Sequence, residues 1–254
     1  MFVVIFAGGR GTRLMEETRK APKPMVKIGP YPIIEHLVQT YTKYGFNKFI
    51  FLTGYKSKDF YSYFKKKKNF FIDYEKGINS NLYIKFKSSS KKNKIYIKTL
   101  YTGINTNKKN RLLKAKKYLI KDKFFLTYGD GLSNIDYKKL LKFHNDNNQI
   151  CTLSAINPPQ RFGVLKISGS LVKKFSEKKS LKKNFINGGF FVCNPSIFNF
   201  LKKNNSDFEE NTLPLLAKQK KLAVYKHKGF WYSMDTLRDK IYLTKLYHNN
   251  APWK

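Results

Sequence analysis

The sequence predicts an α/β fold: a mostly parallel, mixed sheet with helices on both faces and added antiparallel strands. Three observations carry that expectation. FVVIFA at 2–7 is an unbroken apolar run stopped by glycine, as expected of a parallel strand buried on both faces. Strand-like and helix-like segments then alternate to about residue 145. Beyond that point several short strand-like runs follow one another, which predicts antiparallel pairs laid over the sheet.

The elements follow in order. Residues 32–44 set Ile33, Ile34, Leu37, Val38, Tyr41 and Tyr44 on one helical face, with Pro32 suited to the first turn and Gly45 to the C-cap. KFIFLTG (48–54) reads as a second strand and KSKDFYSYF (56–64) as a second helix. The stretch 65–93, with KKKK and SSSKKN in it, has no clean period and is expected to be a hairpin or a mobile excursion. Segments 94–101, 111–119, 123–128 and 137–145 continue the alternation. Strands are expected near 150–156, 163–167, 171–176, 187–193 and 222–226. With 254 residues and 41% apolar content, one domain over 1–254 can bury a sufficient core.

The formal net charge of +35 raises a polyanion partner as a first thought. Only six of the 51 basic residues are arginine, and the lysines are dispersed among abundant Asn, Ile, Phe and Tyr. That set is what an AT-rich genome imposes, whereas base-reading surfaces favour the arginine fork. No specific nucleic-acid partner is expected. Nor is a membrane partner, since no run of 18 apolar residues exists and the N-terminus lacks a basic leader; the expectation is a cytoplasmic protein. Cys151 and Cys193 each lie in an apolar strand-like run and are expected as buried free thiols. None of the four histidines has zinc-like spacing.

The chemistry concentrates in FAGGRGTRLMEETRKAPKPM, residues 6–25. Gly9-Arg10-Gly11-Thr12-Arg13-Leu14 fits neither a Walker A loop nor a dinucleotide fingerprint, and Pro22 and Pro24 exclude a helix running straight out of it. What remains is a long loop whose glycines let backbone N–H groups approach phosphates, with Arg13 and Lys23 able to fold over the same anion. Two carboxylates stand out among only 16 acidic residues. Asp130, in FFLTYGDG, lies just beyond an apolar strand, at the edge where open α/β sheets bind ligands. Asp235 follows GFWYSM and precedes the helical TLRDKIYL. Taken singly, each also suits a turn or an N-cap.

The stretch GGRGTRLxxxTxxxPKPM resembles the signature of the sugar-1-phosphate nucleotidylyltransferases. EETRKAPKPMVKIG, FLTGYK, TYGDGLSNID, PPQRFGVL, INGGFFVCNPSIF, GFWYSMDTLRDK and the terminal APWK extend the resemblance from residue 1 to 254, toward the branch that works with cytidine nucleotides and glucose 1-phosphate. The resemblance implies a Rossmann-like sheet of the nucleotide-diphospho-sugar transferase type. It also implies the reaction of CTP with α-D-glucose 1-phosphate to give CDP-glucose and pyrophosphate, feeding deoxysugars for surface polysaccharide such as lipopolysaccharide O-antigen. Carried over residue by residue, it gives Arg13 and Lys23 as catalytic, with Ala7, Gly8, Gly9, Gly11, Thr12, Arg13, Lys23, Thr102, Arg111 and Gly129 on the nucleotide. Arg161, Gly163, Glu177, Lys178, Asn187 and Gly188 would meet the sugar phosphate, and Asp130 and Asp235 would hold Mg²⁺ or Mn²⁺. A homo-oligomer is expected.

The departures from the family pattern are local. Tyr101-Thr102-Gly103 stands where the family has aspartate-threonine-glycine, and Lys108-Lys109-Asn110 precedes Arg111 where it has threonine-glycine-glycine. Lys179-Ser180-Leu181-Lys182-Lys183 replaces the family's proline and glycine-aspartate after the sugar-site lysine. The alternatives are therefore a related enzyme using another pyrimidine nucleotide or sugar phosphate, and, from other classes, a catalytically silent binding or regulatory subunit or a polyanion-binding protein.

Overall fold

Both faces of Phe2–Ala7 (β1) are apolar, and both are covered: Val3, Ile5 and Ala7 enter one core while Val4 and Phe6 enter the other. The same division recurs in Lys48–Thr53 (β2), where Phe49 and Phe51 face one core and Ile50 and Leu52 the other. This is why these strands read as unbroken apolar runs rather than alternating ones. The computed structural model describes residues 1–76, 94–158, 164–176, 185–201 and 206–254.

Among the described residues, six further strands join the main sheet: Phe70–Lys76 (β3), Ile95–Tyr101 (β4), Phe124–Tyr128 (β5), Cys151–Ile156 (β6), Ile186–Cys193 (β7) and Leu222–His227 (β8). Their spatial order is β8-β6-β7-β5-β1-β2-β4-β3. β7 alone runs against its neighbours, wedged between β5 and β6; the remaining pairs, β8 with β6 included, are parallel. The expected α/β class therefore holds, with one correction. Most of the late strands extend the parallel sheet edgewise instead of lying over it, and only Val164–Ser168 with Leu171–Ser176 forms a separate antiparallel pair among them. Of the stretch 65–93, expected as a hairpin or a mobile excursion, Phe70–Lys76 is the outermost described strand on its side of the sheet and runs parallel to β4. Residues 77–93 lie outside the described residues.

Ile33–Lys43 (α1), Ser57–Phe64 (α2), Tyr137–Asn147 (α4) and Leu237–His248 (α6) cover one face, placing Leu37, Phe60, Leu140 and Leu243 in its core. Lys108–Lys114 (α3) and Leu213–Lys218 (α5) cover the other through Leu112 and Leu216. Cys151 and Cys193 sit side by side on β6 and β7, buried and free, with Sγ atoms 3.7 Å apart. His36 is structural: its Nε2 meets the Ile28 carbonyl at 2.9 Å and its Nδ1 accepts from the Trp253 indole at 3.3 Å.

The chain lays β2, β4 and β3 on one side of β1, then crosses back to place β5 on the other. The carboxyl ends of β1 and β5 thus flank a topological switch point, where the connections diverge and leave a crevice. Residues 8–11 and 129–130 open directly into it.

Candidate active site

The crevice floor is built around a buried arginine. Arg111, on α3, donates through Nη1 to the Thr53 carbonyl (3.1 Å), Thr102 Oγ1 (2.6 Å) and the Gly103 carbonyl (2.8 Å). Through Nη2 it reaches the Gly8 and Ile104 carbonyls, each at 3.1 Å. It thereby ties together the ends of β1, β2 and β4. Burial pushes its pKa down to about 10, against the opposing pull of Asp207. Gly8 is glycine for a steric reason: a Cβ there would fall 2.0 Å from Arg111 Nη1. Gly11 adopts φ 67°, and its carbonyl, with that of Leu14, accepts from the Thr18 hydroxyl at 3.1 and 3.0 Å.

The loop then folds back. Pro22 is extended (φ −63°, ψ 148°), and Lys23–Met25 make a single 3₁₀ turn. Backbone fixed on both sides of Lys23 aims a buried side chain into the crevice. Its Nζ lies 2.7 Å from Asp130 Oδ2 and 2.7 Å from Asp235 Oδ1. Arg13 Nη2 reaches the same Asp235 oxygen at 2.9 Å. Burial alone would lower the Lys23 pKa; Asp130 and Asp235 outweigh it and raise it. Burial would likewise raise Asp235, but Lys23 and then Arg13 hold its carboxyl below the usual carboxylate range.

Asp130 and Asp235 are far apart in the chain and are stapled together locally. The Met234 N–H donates to the Asp130 carbonyl at 2.8 Å, and Gly131–Ser133 pairs antiparallel with Trp231–Ser233. Asp235 immediately precedes α6, whose capping box joins Thr236 and Asp239; the Asp235 N–H donates to Asp239 Oδ2 at 3.0 Å. A second charged cluster lines the same cavity. Lys108 Nζ lies 2.9 Å from Asp207 Oδ2 and 3.1 Å from Glu209 Oε2, and the Tyr128 hydroxyl donates to Glu209 Oε1. The cavity measures about 520 Å³, within the ordinary range for a small-molecule site.

A cavity of this size at a switch point, with a glycine floor, two cations and two converging carboxylates, suits a phosphorylated ligand. A model of the nucleotidyl transferase family matches residues 2–248. The chain belongs to the nucleotidyl transferase family. It is 39% identical over 263 residues to a Bacillus subtilis protein named probable glucose-1-phosphate cytidylyltransferase, covering 100% of this chain and 99% of the relative. It is 40% identical over 257 residues, with the same coverage, to the glucose-1-phosphate cytidylyltransferase of Salmonella typhi. The mannose-1-phosphate guanyltransferase of Saccharomyces cerevisiae is 27% identical over an alignment of 255 residues that covers 97% of this chain and 64% of that one. Among solved structures, a UDP-glucose pyrophosphorylase complexed with UDP-glucose superposes with a TM-score of 0.69 at 18% identity, covering 98% of each chain. A putative glucose-1-phosphate thymidylyltransferase from Bacillus anthracis gives 0.67 at 16% identity, covering 97% of this chain and 95% of that one. These two show the fold, that of the nucleotide-diphospho-sugar transferases.

In this nucleotidyltransferase, Ala7, Gly8, Gly9, Gly11, Thr12, Arg13, Lys23, Arg111, Gly129 and Asp130 line one cavity, and Asp235 joins them through Lys23. Thr102 stands apart. It is fully buried, donating to the Thr53 carbonyl at 2.7 Å while accepting from Arg111, so it positions Arg111 from behind. Arg111 itself spends its terminal N–H groups on protein acceptors, and its visible work is to hold the floor. Asn187 donates to the Tyr128 hydroxyl at 3.2 Å, and the Gly188 carbonyl accepts from the Trp231 indole at 2.6 Å. Arg161, Gly163, Glu177 and Lys178 lie outside the described residues. Tyr128, Asp207 and Glu209 were not expected from the sequence, and Lys108 stood out there only as a departure from the family pattern. The available signals were the scarcity of acids around DFEEN and the position of Tyr128 two residues before Asp130.

Proposed function

We propose that this nucleotidyltransferase transfers the cytidylyl group of CTP to α-D-glucose 1-phosphate, giving CDP-glucose and pyrophosphate. The name comes from relatives 39–40% identical over the whole chain; the observation that gives it chemistry is Lys23 fixed 2.7 Å from both Asp130 and Asp235 at the switch point. An oxygen of the sugar phosphate attacks the α-phosphorus of CTP. The bond from that phosphorus to the bridging oxygen breaks, and its electron pair leaves with pyrophosphate.

Two anions must meet, so positioning and charge neutralisation carry the catalysis. The Gly8–Gly11 backbone lies under the phosphates, Lys23 reaches the reacting centre, and Arg13 faces the departing pyrophosphate. A cation already fixed where charge develops lowers the barrier more than it strengthens ground-state binding. Asp130 and Asp235 converge on one ammonium, and that arrangement of acidic oxygens suits a divalent cation, Mg²⁺ or Mn²⁺, which needs one or two carboxylates besides phosphate oxygens and water. Such an ion supplies charge neutralisation between the phosphates. Asn187 and Gly188, with Arg161, Gly163, Glu177 and Lys178, are assigned to the sugar phosphate.

The same reading makes the protein a single-domain homo-oligomer of the cytoplasm that supplies CDP-glucose for deoxysugars of surface polysaccharide such as lipopolysaccharide O-antigen. Among the described residues no helix is long and apolar enough to cross a membrane. A pyrophosphate-release screen crossing CTP, UTP, dTTP, ATP and GTP with several sugar 1-phosphates tests it. CTP with glucose 1-phosphate should give the highest kcat/KM, and comparable efficiency with UTP or dTTP would remove the base assignment while keeping the reaction class.

A further inference from the structure

The cavity holds two charged clusters, and the mechanism uses only the one around Lys23. The other carries two carboxylates and one ammonium, a net negative charge in a chain of net +35. Phosphates have no use for it. It suits an uncharged part of the ligand that carries N–H donors.

The cluster is rigid by construction. Asp207 Oδ1 accepts the backbone N–H of Lys108 at 2.9 Å and of Phe208 at 2.8 Å, fixing the start of α3 against the 208–212 turn. The Asp207 side chain is thereby largely spent on backbone. Glu209 differs: one oxygen takes the Tyr128 hydroxyl, the other takes Lys108 Nζ at 3.1 Å, and it lines the cavity. A carboxylate has about four acceptor directions and an ammonium three donors, so Glu209 and Lys108 can present an acceptor beside a donor to a ligand edge. Cytosine offers the complement, an exocyclic amino donor beside ring acceptors, whereas uracil and thymine place a carbonyl oxygen where that amino group would be. A carbonyl facing Glu209 would lose a hydrogen bond and meet like charge.

We propose that Glu209, held by Tyr128 and Lys108, selects cytosine over uracil and thymine; this rests on the reading of CTP as the nucleotide donor. It also gives one of the family departures a use. Lys108 stands where the resembled pattern has threonine, and it brings an ammonium that both anchors Glu209 and supplies the neighbouring donor.

The test is equilibrium binding of CTP and UTP by calorimetry, with folding checked by circular dichroism, in the wild type and in Glu209→Gln. The wild type should favour CTP by roughly 10- to 100-fold. Glu209→Gln, whose amide can donate to a carbonyl, should bring the two affinities within a few-fold, chiefly by weakening CTP. A folded Glu209→Gln that keeps the wild-type ratio overturns the inference while leaving CTP as the donor. A wild type with no preference for CTP instead overturns the reading on which the inference rests. Should Glu209→Gln not fold, Glu209→Asp serves: withdrawing the carboxylate by one methylene must lower the CTP-to-UTP ratio, and an unchanged ratio refutes the role.

Discussion

Replacing Lys23 by methionine keeps much of the side chain's length and apolar body and removes only the charge and its donors. Both carboxylate contacts are 2.7 Å long. At an effective dielectric of about 20, each pair would attract by roughly 6 kcal/mol before desolvation is counted. Removing one partner of a buried pair costs about 3–5 kcal/mol because the other charge is left behind. Here the side chains are 11% (Lys23), 29% (Asp130) and 18% (Asp235) exposed, and Arg13 still reaches Asp235 at 2.9 Å, so the lower end applies, about 3 kcal/mol. For a chain of this size that corresponds to a Tm lower by about 6–12 °C. Thermal unfolding of the two proteins with and without Mg²⁺ measures it. Mg²⁺ should raise the Tm of Lys23→Met more than that of the wild type, because in the wild type Lys23 already occupies the carboxylates. A variant whose Tm stays within about 1 °C of wild type, and which still releases pyrophosphate at the normal rate, would reduce the cluster to a screened surface pair and refute the reasoning.

Other perturbations separate the remaining roles. Asp235 titrates below its ordinary 3.8 and Lys23 above its ordinary 10.5. The carboxylate's contribution is therefore present above about pH 4 and lost as pH falls below it, while the ammonium's is present below 10.5 and lost as pH climbs past it. Burial also lowers the pKa of His36, His144 and His227, so stability falls on their account as well once pH drops below their ordinary 6.5. The reading is therefore the difference in Tm between wild type and Asp235→Asn: it should hold steady above about pH 4 and shrink as pH falls below it, and a difference that does not shrink would contradict the assignment. Arg111→Met leaves the Gly103 and Ile104 carbonyls without their donor and the Gly8 carbonyl with only the Tyr55 N–H at 3.3 Å, and urea unfolding should show a loss of about 3–5 kcal/mol, with less than 1 kcal/mol counting against the clasp. Arg13 is 74% exposed, so Arg13→Ala should leave stability nearly unchanged yet lower kcat by about 10- to 100-fold, more than it raises KM for the sugar phosphate. An unchanged kcat would place Arg13 outside the transition state.

The parallel core was legible because strands covered on both faces must be apolar through their middle, and FVVIFA and the FIFL of residues 49–52 are. The orientation of β7 was not, since INGGFFVC has the same apolar pattern whichever way it runs; pairing is decided by neighbours distant in sequence. Phe70–Lys76 was obscured by the lysine run before it, which carries no period of its own. In the site, Lys23, Asp130 and Asp235 were legible by punctuation: prolines around the first, glycines around the second, a helix start after the third. Arg111 was placed on the nucleotide by the family resemblance; that it also turns inward onto five protein acceptors was not legible, because a lone arginine gives no sign of it. Lys108 and Glu209 are 101 positions apart, in segments that look like a helix surface and an acidic turn, and only the fold brings them within 3.1 Å.

In the proposed reaction an oxygen of the sugar phosphate attacks CTP at its α-phosphorus. Glucose 1-phosphate carrying ¹⁸O in every phosphate oxygen, incubated with CTP, Mg²⁺ and the enzyme and followed by ³¹P NMR, reads that bond formation directly. All of the label should appear in CDP-glucose, including the oxygen bridging its two phosphorus atoms, and the pyrophosphate released in equal amount should carry none. Label in pyrophosphate, or its release from CTP without CDP-glucose, would contradict the account.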